Sequence, residues 1–327
     1  MSGPPRPTEE TPPRAIGLIV LGMVFITVND SLIKALGGDY PLHQMVFIRS
    51  AIGICFSLVI LQFEGGFGAL RTATPGLHLL RGLLVVISNM LYFAALAVMP
   101  LADAVATFFV APLIITVFSV VLLGERVGLH RVGAIVVGFL GVLVMTRPGT
   151  GGDAVARGTI LLPILAATAY AGMQVMTRKL GVYSKASALA VYIQAVFLCV
   201  SVGFFLVAGD GRYAEGVESD SLVFLLRAWV WPAPEDWPLF IALGVVSGAV
   251  GYLLSASYKM GNAATVSSFE YTALPMAILS GWLVFGEVPD LWVLAGTTLI
   301  AGAGIHVFMR ERRRRSPVAP RRPLRRV

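Results

Sequence analysis

Charge is scarce in this chain of 327 residues: 13% are Asp, Glu, Lys or Arg, against 57% that are hydrophobic. Soluble domains carry about twice that charge, so an ordinary water-soluble globule is excluded. Cysteine is nearly absent. Cys55 and Cys199 both sit inside apolar runs, which excludes a disulfide framework and reads as small packing residues. The histidines His43, His78, His130 and His306 have no metal-ligand spacing, and none pairs with a cysteine; neither a metal nor a cofactor is expected. A Gly-Lys-Ser/Thr phosphate cradle is also missing, which argues against ATP-driven pumping.

What is there is apolar sequence in long runs, with a mean hydropathy of +0.81. A membrane span needs roughly 20 apolar residues. The runs place spans at about 15–36, 41–62, 77–98, 101–123, 130–146, 158–180, 187–207, 238–259, 263–285 and 290–309. Gly37-Gly38, Gly65-Gly66, Pro100, Pro148-Gly149, Gly181 and Gly261-Asn262 mark the breaks. Ten such spans use about 200 residues and leave little for a soluble domain. Residues 1–14 are polar with five prolines and are expected to be disordered. The first apolar run flows into Asn29-Asp30 with no small-residue cleavage site, so it reads as a span rather than a signal peptide.

The spans read twice. Asn29-Asp30-Ser31-Leu32-Ile33-Lys34-Ala35-Leu36 closes the first, and Met173-Gln174-Val175-Met176-Thr177-Arg178-Lys179-Leu180 closes the sixth. Asp30/Gln174, Lys34/Arg178 and Leu36/Leu180 share one offset. Leu123-Gly124-Glu125 ends the fourth span and Phe285-Gly286-Glu287 the ninth, each after a proline, Pro112 or Pro275. Five spans followed by five similar ones give halves of opposite orientation, because five is odd. The fold class expected is therefore all-α integral membrane, with ten transmembrane helices in two inverted five-helix repeats, 15–147 and 158–309. Such repeats build secondary transporters with a substrate site near the midplane.

Basic residues set the orientation. With the N-terminus inside, inner loops hold Arg71, Arg126, Arg131, Arg178, Lys179, Lys185 and Lys259, and the tail 310–327 adds nine arginines. Outer loops hold Arg147, Arg157, Arg212 and Arg227. Both termini are expected in the cytoplasm of a multi-pass cell (inner) membrane protein. The net charge of +7 comes largely from the tail, which reads as a topology determinant beside anionic lipid rather than a nucleic-acid site. The long loop 208–237 lies outside in this scheme. Its apolar stretch Ser221–Trp231 reads as a short helix on the outer interface, or as a lid over a substrate mouth.

The doubled pattern of Pro112, Gly124-Glu125, Gly133, Gly138 and Gly141, then Pro275, Gly286-Glu287, Gly296, Gly302 and Gly304, resembles the EamA family of the drug/metabolite transporter superfamily over about 15–309. The resemblance implies an EamA repeat in each half and carrier activity. Asn29-Asp30 with Lys34, Phe47-Ile48-Arg49, His78-Leu79-Leu80-Arg81-Gly82-Leu83-Leu84, Pro112-Leu113 and Glu287-Val288-Pro289-Asp290 are similar to the branch of S-adenosylmethionine uptake transporters. The chain departs from that branch at Glu270-Tyr271, where the branch has an Arg-Tyr pair.

Charges within spans are costly and usually face a bundle interior or cavity. Asp30 lies roughly 9 Å and Arg49 about 12 Å from the outer ends of their spans at 1.5 Å per residue, so they can meet at one depth. Arg81 and Glu270 lie near one level on the inner side. Each pair reads equally well as a structural ion pair; Arg81 has the further option of snorkelling to the inner headgroups, and Lys34 to the outer ones. Asp30 and Glu270 are the candidates for protonation. Asn29, Asn89, Tyr92, Gln174, Tyr252 and Tyr271 complete the expected substrate-binding set, each with interhelical glue as its alternative. Glu125 and Glu287 fall at opposite faces, which excludes a catalytic pair; they read as acceptors for backbone donors at loop-to-helix joins. Asp103 reads as a cap. The Gly-rich fifth and tenth spans read as close-packing surfaces lying outside the cavity, with homodimer contact as the alternative.

Three function classes fit to different degrees. A carrier of a small polar or amphipathic metabolite explains the inverted halves and depth-matched charges, with S-adenosylmethionine-like uptake favoured by the resemblance. Riboflavin import and amino-acid or metabolite export are the alternatives within the family. A membrane-embedded enzyme needs a reactive cluster at one depth, which only the two charge pairs approach; no enzyme activity is expected. A structural or sensor protein needs no doubled halves. The partners expected are a small-molecule metabolite and membrane lipid, with no nucleic acid.

Overall fold

The computed structural model describes residues 13–123, 133, 136–138, 140, 141, 143, 144, 159–180, 184–260, 266 and 269–314. The expected basic tail is described only to Arg314, and Glu125, Arg126, His130, Arg131, Arg147 and Arg157 lie outside the described residues. The described elements are helices: α1 Pro13–Leu36, α2 Leu42–Glu64, α3 Pro75–Leu96, α4 Leu101–Phe108, α5 Ala111–Leu123, α6 Leu161–Leu180, α7 Ala186–Ala208, α8 Asp220–Leu226, α9 Trp237–Met260, α10 Ala273–Phe285 and α11 Leu291–Arg314. By length and composition five stretches can cross a membrane: α1, α2, α3, α7 and Pro234–Met260; shorter apolar helices accompany them.

Sequence punctuation explains the ends. Gly65 closes α2 at φ 130°, and Gly286 closes α10 at φ 66°, its N–H returning to Trp282 O. A side chain at either position would be strained. Pro75 opens α3 at its first position, where a missing N–H costs nothing.

One expected helix is broken. The run 101–123 is two helices, α4 and α5, separated at Phe109-Val110. Pro112 has no N–H, and its ring opposes the carbonyl four residues earlier, on Phe108. The stretch expected as the ninth span repeats this design: a turn at Tyr271-Thr272 precedes α10, and Pro275 stands four residues after Tyr271.

The helices run alternately between two faces of the bundle. At the proximal face, where α1 begins, Ser257 Oγ donates to Ala15 O at 2.7 Å and Glu64 accepts from the Ser187 amide at 3.3 Å. At the distal face, where α1 ends, Ser221 Oγ donates to Ala94 O at 2.7 Å. Helix α1 packs along α9, α3 along α6, and α2 along α7 and α9, while α10 meets α1 and α4. Phe93, Ile19, Leu42, Leu189 and Phe240 are fully buried. Leu206, Val207, Leu283 and Val284 are exposed, an apolar exterior of the kind that lipid solvates. Cys55 and Cys199 are free and exposed.

The loop after α7 is fastened to the distal face. The Arg227 guanidinium donates to Gly37 O and Gly38 O at 2.6 Å each, and also to Tyr40 O, which satisfies carbonyls of the turn between α1 and α2. Gln44 bonds Val230 in both directions, His43 Nδ1 bonds Leu225 O at 2.9 Å, and Tyr40 Oη donates to Asp236 at 2.7 Å. The expected helix from Ser221 to Trp231 ends at Leu226, because Arg227 is drawn down onto those carbonyls. Gly-rich packing is also present: a Cβ on Gly141 would stand 2.8 Å from Gly296 O of α11.

Candidate functional site

A central cavity lies between α1, α2, α3, α4, α6, α7, α9 and α10, with an empty volume of ≈ 1270 Å³ counting the part open to solvent. Eight of the ten expected site residues line it: Asn29, Asp30, Arg49, Arg81, Asn89, Tyr92, Gln174 and Glu270. All four of the charged residues in that set are at most 6% exposed. Polar groups at this depth survive only with hydrogen-bond partners, and those partners define two clusters.

The distal cluster surrounds Asp30 and Arg49. Asp30 accepts from Tyr92 Oη at 3.0 Å and from Asn29 Nδ2 at 3.3 Å. Arg49 Nη1 donates to Asn29 Oδ1 at 3.4 Å, and Nη2 donates to Asn89. The guanidinium also lies 5.5 Å from the Phe93 ring centroid and 5.0 Å from that of Phe197, a favourable cation–π setting. Asn29 therefore stands between the two charges.

The proximal cluster surrounds Arg81 and Glu270. Arg81 Nε donates to Thr177 Oγ1 at 2.6 Å and Nη1 to Leu189 O at 3.2 Å. Glu270 Oε1 accepts from Tyr170 Oη at 2.9 Å and from Tyr258 Oη. Gln174 Nε2 donates to Tyr170 Oη at 2.6 Å. The depth-matched ion pairs expected from sequence are thus not direct pairs: among the described residues neither Asp30–Arg49 nor Arg81–Glu270 comes within 4.0 Å. Asn29 bridges Asp30 and Arg49, while Arg81 turns to the Thr177 hydroxyl and Leu189 O and Glu270 to the phenols of Tyr170 and Tyr258.

Two expected residues do not line the cavity. Tyr252 donates to Glu64 Oε1 at 2.9 Å near the proximal face. Tyr271 packs on Phe109, ring centroids 5.4 Å apart, and its hydroxyl is buried without a partner among the described residues. That contact joins the two helix breaks, at Phe109-Val110 and Tyr271-Thr272. Beside it runs an aromatic ladder, Tyr92–Phe108 at 5.2 Å and Phe108–Tyr170 at 5.3 Å. It links the phenol on Asp30 to a phenol on Glu270.

Lys34 and Glu287 stand at the distal end instead of in the cavity. Lys34 Nζ lies 2.5 Å from Glu287 Oε1 and donates to Met99 O at 3.0 Å. Glu287 Oε2 accepts the Leu101 N–H at 2.9 Å, the backbone-donor role expected of it. Lys34 was expected to snorkel; a carboxylate from the link between α10 and α11 gives it a partner.

Sequence reading missed Tyr170, Thr177, Tyr258, Gln194, Ser247 and Phe108. A signal existed for α6: Tyr170, Gln174 and Thr177 recur at i, i+4 and i+7, one face of a helix. None existed for Tyr258, whose partner comes from another span. Among the described residues no group of three or more His, Cys, Asp or Glu could hold a metal ion.

Comparison with known proteins agrees with this architecture. Residues 13–147 match the EamA-like transporter family. The riboflavin transporter of Rhizobium johnstonii is 27% identical over 303 residues, 92% of each chain. The S-adenosylmethionine uptake transporter of Rickettsia prowazekii is 25% identical, covering 90% of this chain and 92% of its own. The pseudopaline exporter CntI of Pseudomonas aeruginosa PAO1 is 28% identical, covering 88% and 93%. One crystal structure shares the fold, with TM-score 0.67 at 22% identity over 92% of this chain and 99% of its own. The relatives are transporters of small molecules, and over residues 13–147 the chain is similar to the EamA-like transporter family.

Proposed function

We propose that this protein is a secondary transporter that carries a small amphipathic metabolite through the central cavity by alternating access. The observation that carries this reading is the contact of two broken spans, Phe109 on Tyr271, beside a cavity lined by four buried charged side chains. Discontinuous helices meeting near the midplane of two repeats are where secondary transporters bind their solutes. The packing supports inverted repeats, since α1 on α9 and α3 on α6 exchange places when the first and sixth spans, and the third and eighth, are swapped. The Lys/Arg asymmetry supports a distal face outside the cell and both termini in the cytoplasm.

Within that reading the residues divide the work. The distal cluster of Asp30, Asn29, Arg49, Asn89 and Tyr92 and the proximal cluster of Arg81, Gln174 and Glu270 form the two ends of the binding cavity. Rocking of α1, α2 and α3 against α6, α7 and α9, with bending at the two breaks, exposes one end at a time. No covalent step is required, and no catalytic residue is assigned. S-adenosylmethionine-like uptake is the favoured substrate reading, because an aromatic ladder beside charged clusters suits a flat ring joined to charged groups. Riboflavin import is the alternative; the same ladder suits its ring, and relatives with that name span the chain.

The test is flux in proteoliposomes. Purified protein should move radiolabelled S-adenosylmethionine or riboflavin faster than empty liposomes, measured in both directions with and without a pH gradient. No flux of any small metabolite in a broad panel, from well-folded protein, would overturn the carrier reading.

A further inference from the structure

The two charged clusters are not equivalent. In the distal one the charges are spoken for: Arg49 uses Nη1 and Nη2 on Asn29 and Asn89, and Asp30 uses both oxygens on Asn29 and Tyr92. Arg49 Nε is sealed from solvent without a partner. In the proximal cluster valences are left over. Arg81 uses Nε and Nη1 on neutral oxygens, and Nη2 has no partner among the described residues. Both tyrosines converge on Glu270 Oε1, and Oε2 has none. Neither Arg81 Nη2 nor Glu270 Oε2 is sealed as Arg49 Nε is, and both residues line the cavity. A guanidinium and a carboxylate in a membrane-spanning bundle, each without a counter-charge within 4.0 Å among the described residues, are costly unless a ligand completes them.

Resting on the carrier reading above, we propose that the proximal cluster recognises a zwitterion with well-separated charges, its anionic group on Arg81 Nη2 and its cationic group on Glu270 Oε2. The separation follows from α6. Thr177 holds Arg81 and Tyr170 holds Glu270, and they stand seven residues apart on one face, roughly 10 Å along the axis. The adjacent charges of a simple α-amino acid are too close to reach both; a carboxylate and a cation several bonds apart fit. The ladder of Tyr170, Phe108 and Tyr92 gives the rest of the solute an aromatic wall leading toward the distal cluster, whose mutually bonded side chains position that end of the cavity.

Solutes with one charge deleted test this against variants with one charge deleted. The probes are S-adenosylmethionine, its decarboxylated form, which lacks the anion, and S-adenosylhomocysteine, which lacks the sulfonium cation. Riboflavin is the neutral control. Initial uptake of each is measured in the same proteoliposome preparation, so the ratios do not depend on folded yield. The parent protein should prefer S-adenosylmethionine over each analogue by about tenfold or more, the loss expected for one ionic contact shielded from bulk water. Arg81→Gln should abolish the preference over the decarboxylated form and keep the other; Glu270→Gln should do the reverse. Equal loss for all three solutes in both variants, or no preference in the parent, overturns the proposal. Riboflavin uptake without uptake of any adenosyl solute overturns it and leaves the carrier reading standing. Absence of all flux overturns the carrier reading itself.

Discussion

Lys34 and Glu287 show how two side chains can tie several elements together. The ammonium of Lys34 sits between Glu287 and the Met99 carbonyl, and the same carboxylate receives the first amide of α4. A carboxylate at a helix N-terminus complements orphaned N–H groups and the positive end of the dipole. One turn earlier Ser31 and Ser280 are bonded at 2.7 Å, so α1 is joined both to α10 and to the link that follows it. The ion pair is 16% and 24% exposed, so salt screens it less than a fully exposed pair. In a double-mutant cycle Lys34→Met and Glu287→Gln should each lower the thermal midpoint in detergent. Their coupling should be about 0.5–3 kcal/mol; strictly additive effects would show that the pair contributes no joint stability.

At the scale of elements, close approach depends on small residues. A Cβ on Gly244 of α9 would overlap Ile52 Cβ on α2, and one on Gly248 would stand 3.0 Å from Gly53 O. Neither neighbour is the free end of a flexible side chain, so the helices must part. Gly244→Ala should destabilise the protein by about 1–3 kcal/mol. Gly17→Ala, where nothing lies within 4 Å, should be neutral or stabilising by up to about 1 kcal/mol. Thermal midpoints of the two variants in one detergent decide it; equal effects would contradict the packing described. Helix extents were readable from sequence because a continuous apolar run bounded by Gly or Pro has few alternatives: α1, α2, α3, α7 and α9 end within a turn of expectation. The break at Phe109-Val110 was not, although Pro112 was visible, because the apolar run passes through it unaltered. The cavity residues Asp30, Arg49, Arg81 and Glu270 were legible as charges in apolar sequence. Their actual partners, Tyr92, Asn29, Thr177, Tyr170 and Tyr258, come from other helices or adjoining turns, and hydrophobicity alone does not rank which neutral donor will reach a given charge.

The whole molecule is a helical membrane protein whose distal face carries the fastened loop and whose interior carries the cavity. Glu215 is an exposed residue of that loop. With Cys55 and Cys199 replaced by alanine, Glu215→Cys should react with a membrane-impermeant maleimide in intact cells; reaction only after permeabilisation would reverse the orientation. Alternating exposure of the central cavity is the claim on which the rest depends, and it can be measured at Ser247, a half-buried cavity residue accepting from Gln194 at 3.4 Å. In the same cysteine-free background, Ser247→Cys in oriented proteoliposomes is exposed to an impermeant thiol reagent from one side at a time, with and without transported solute. The expected result is modification from either side, at rates whose ratio shifts when solute is bound. Modification from one side only, unchanged by any solute that the protein moves, would contradict a central site that opens alternately to the two faces.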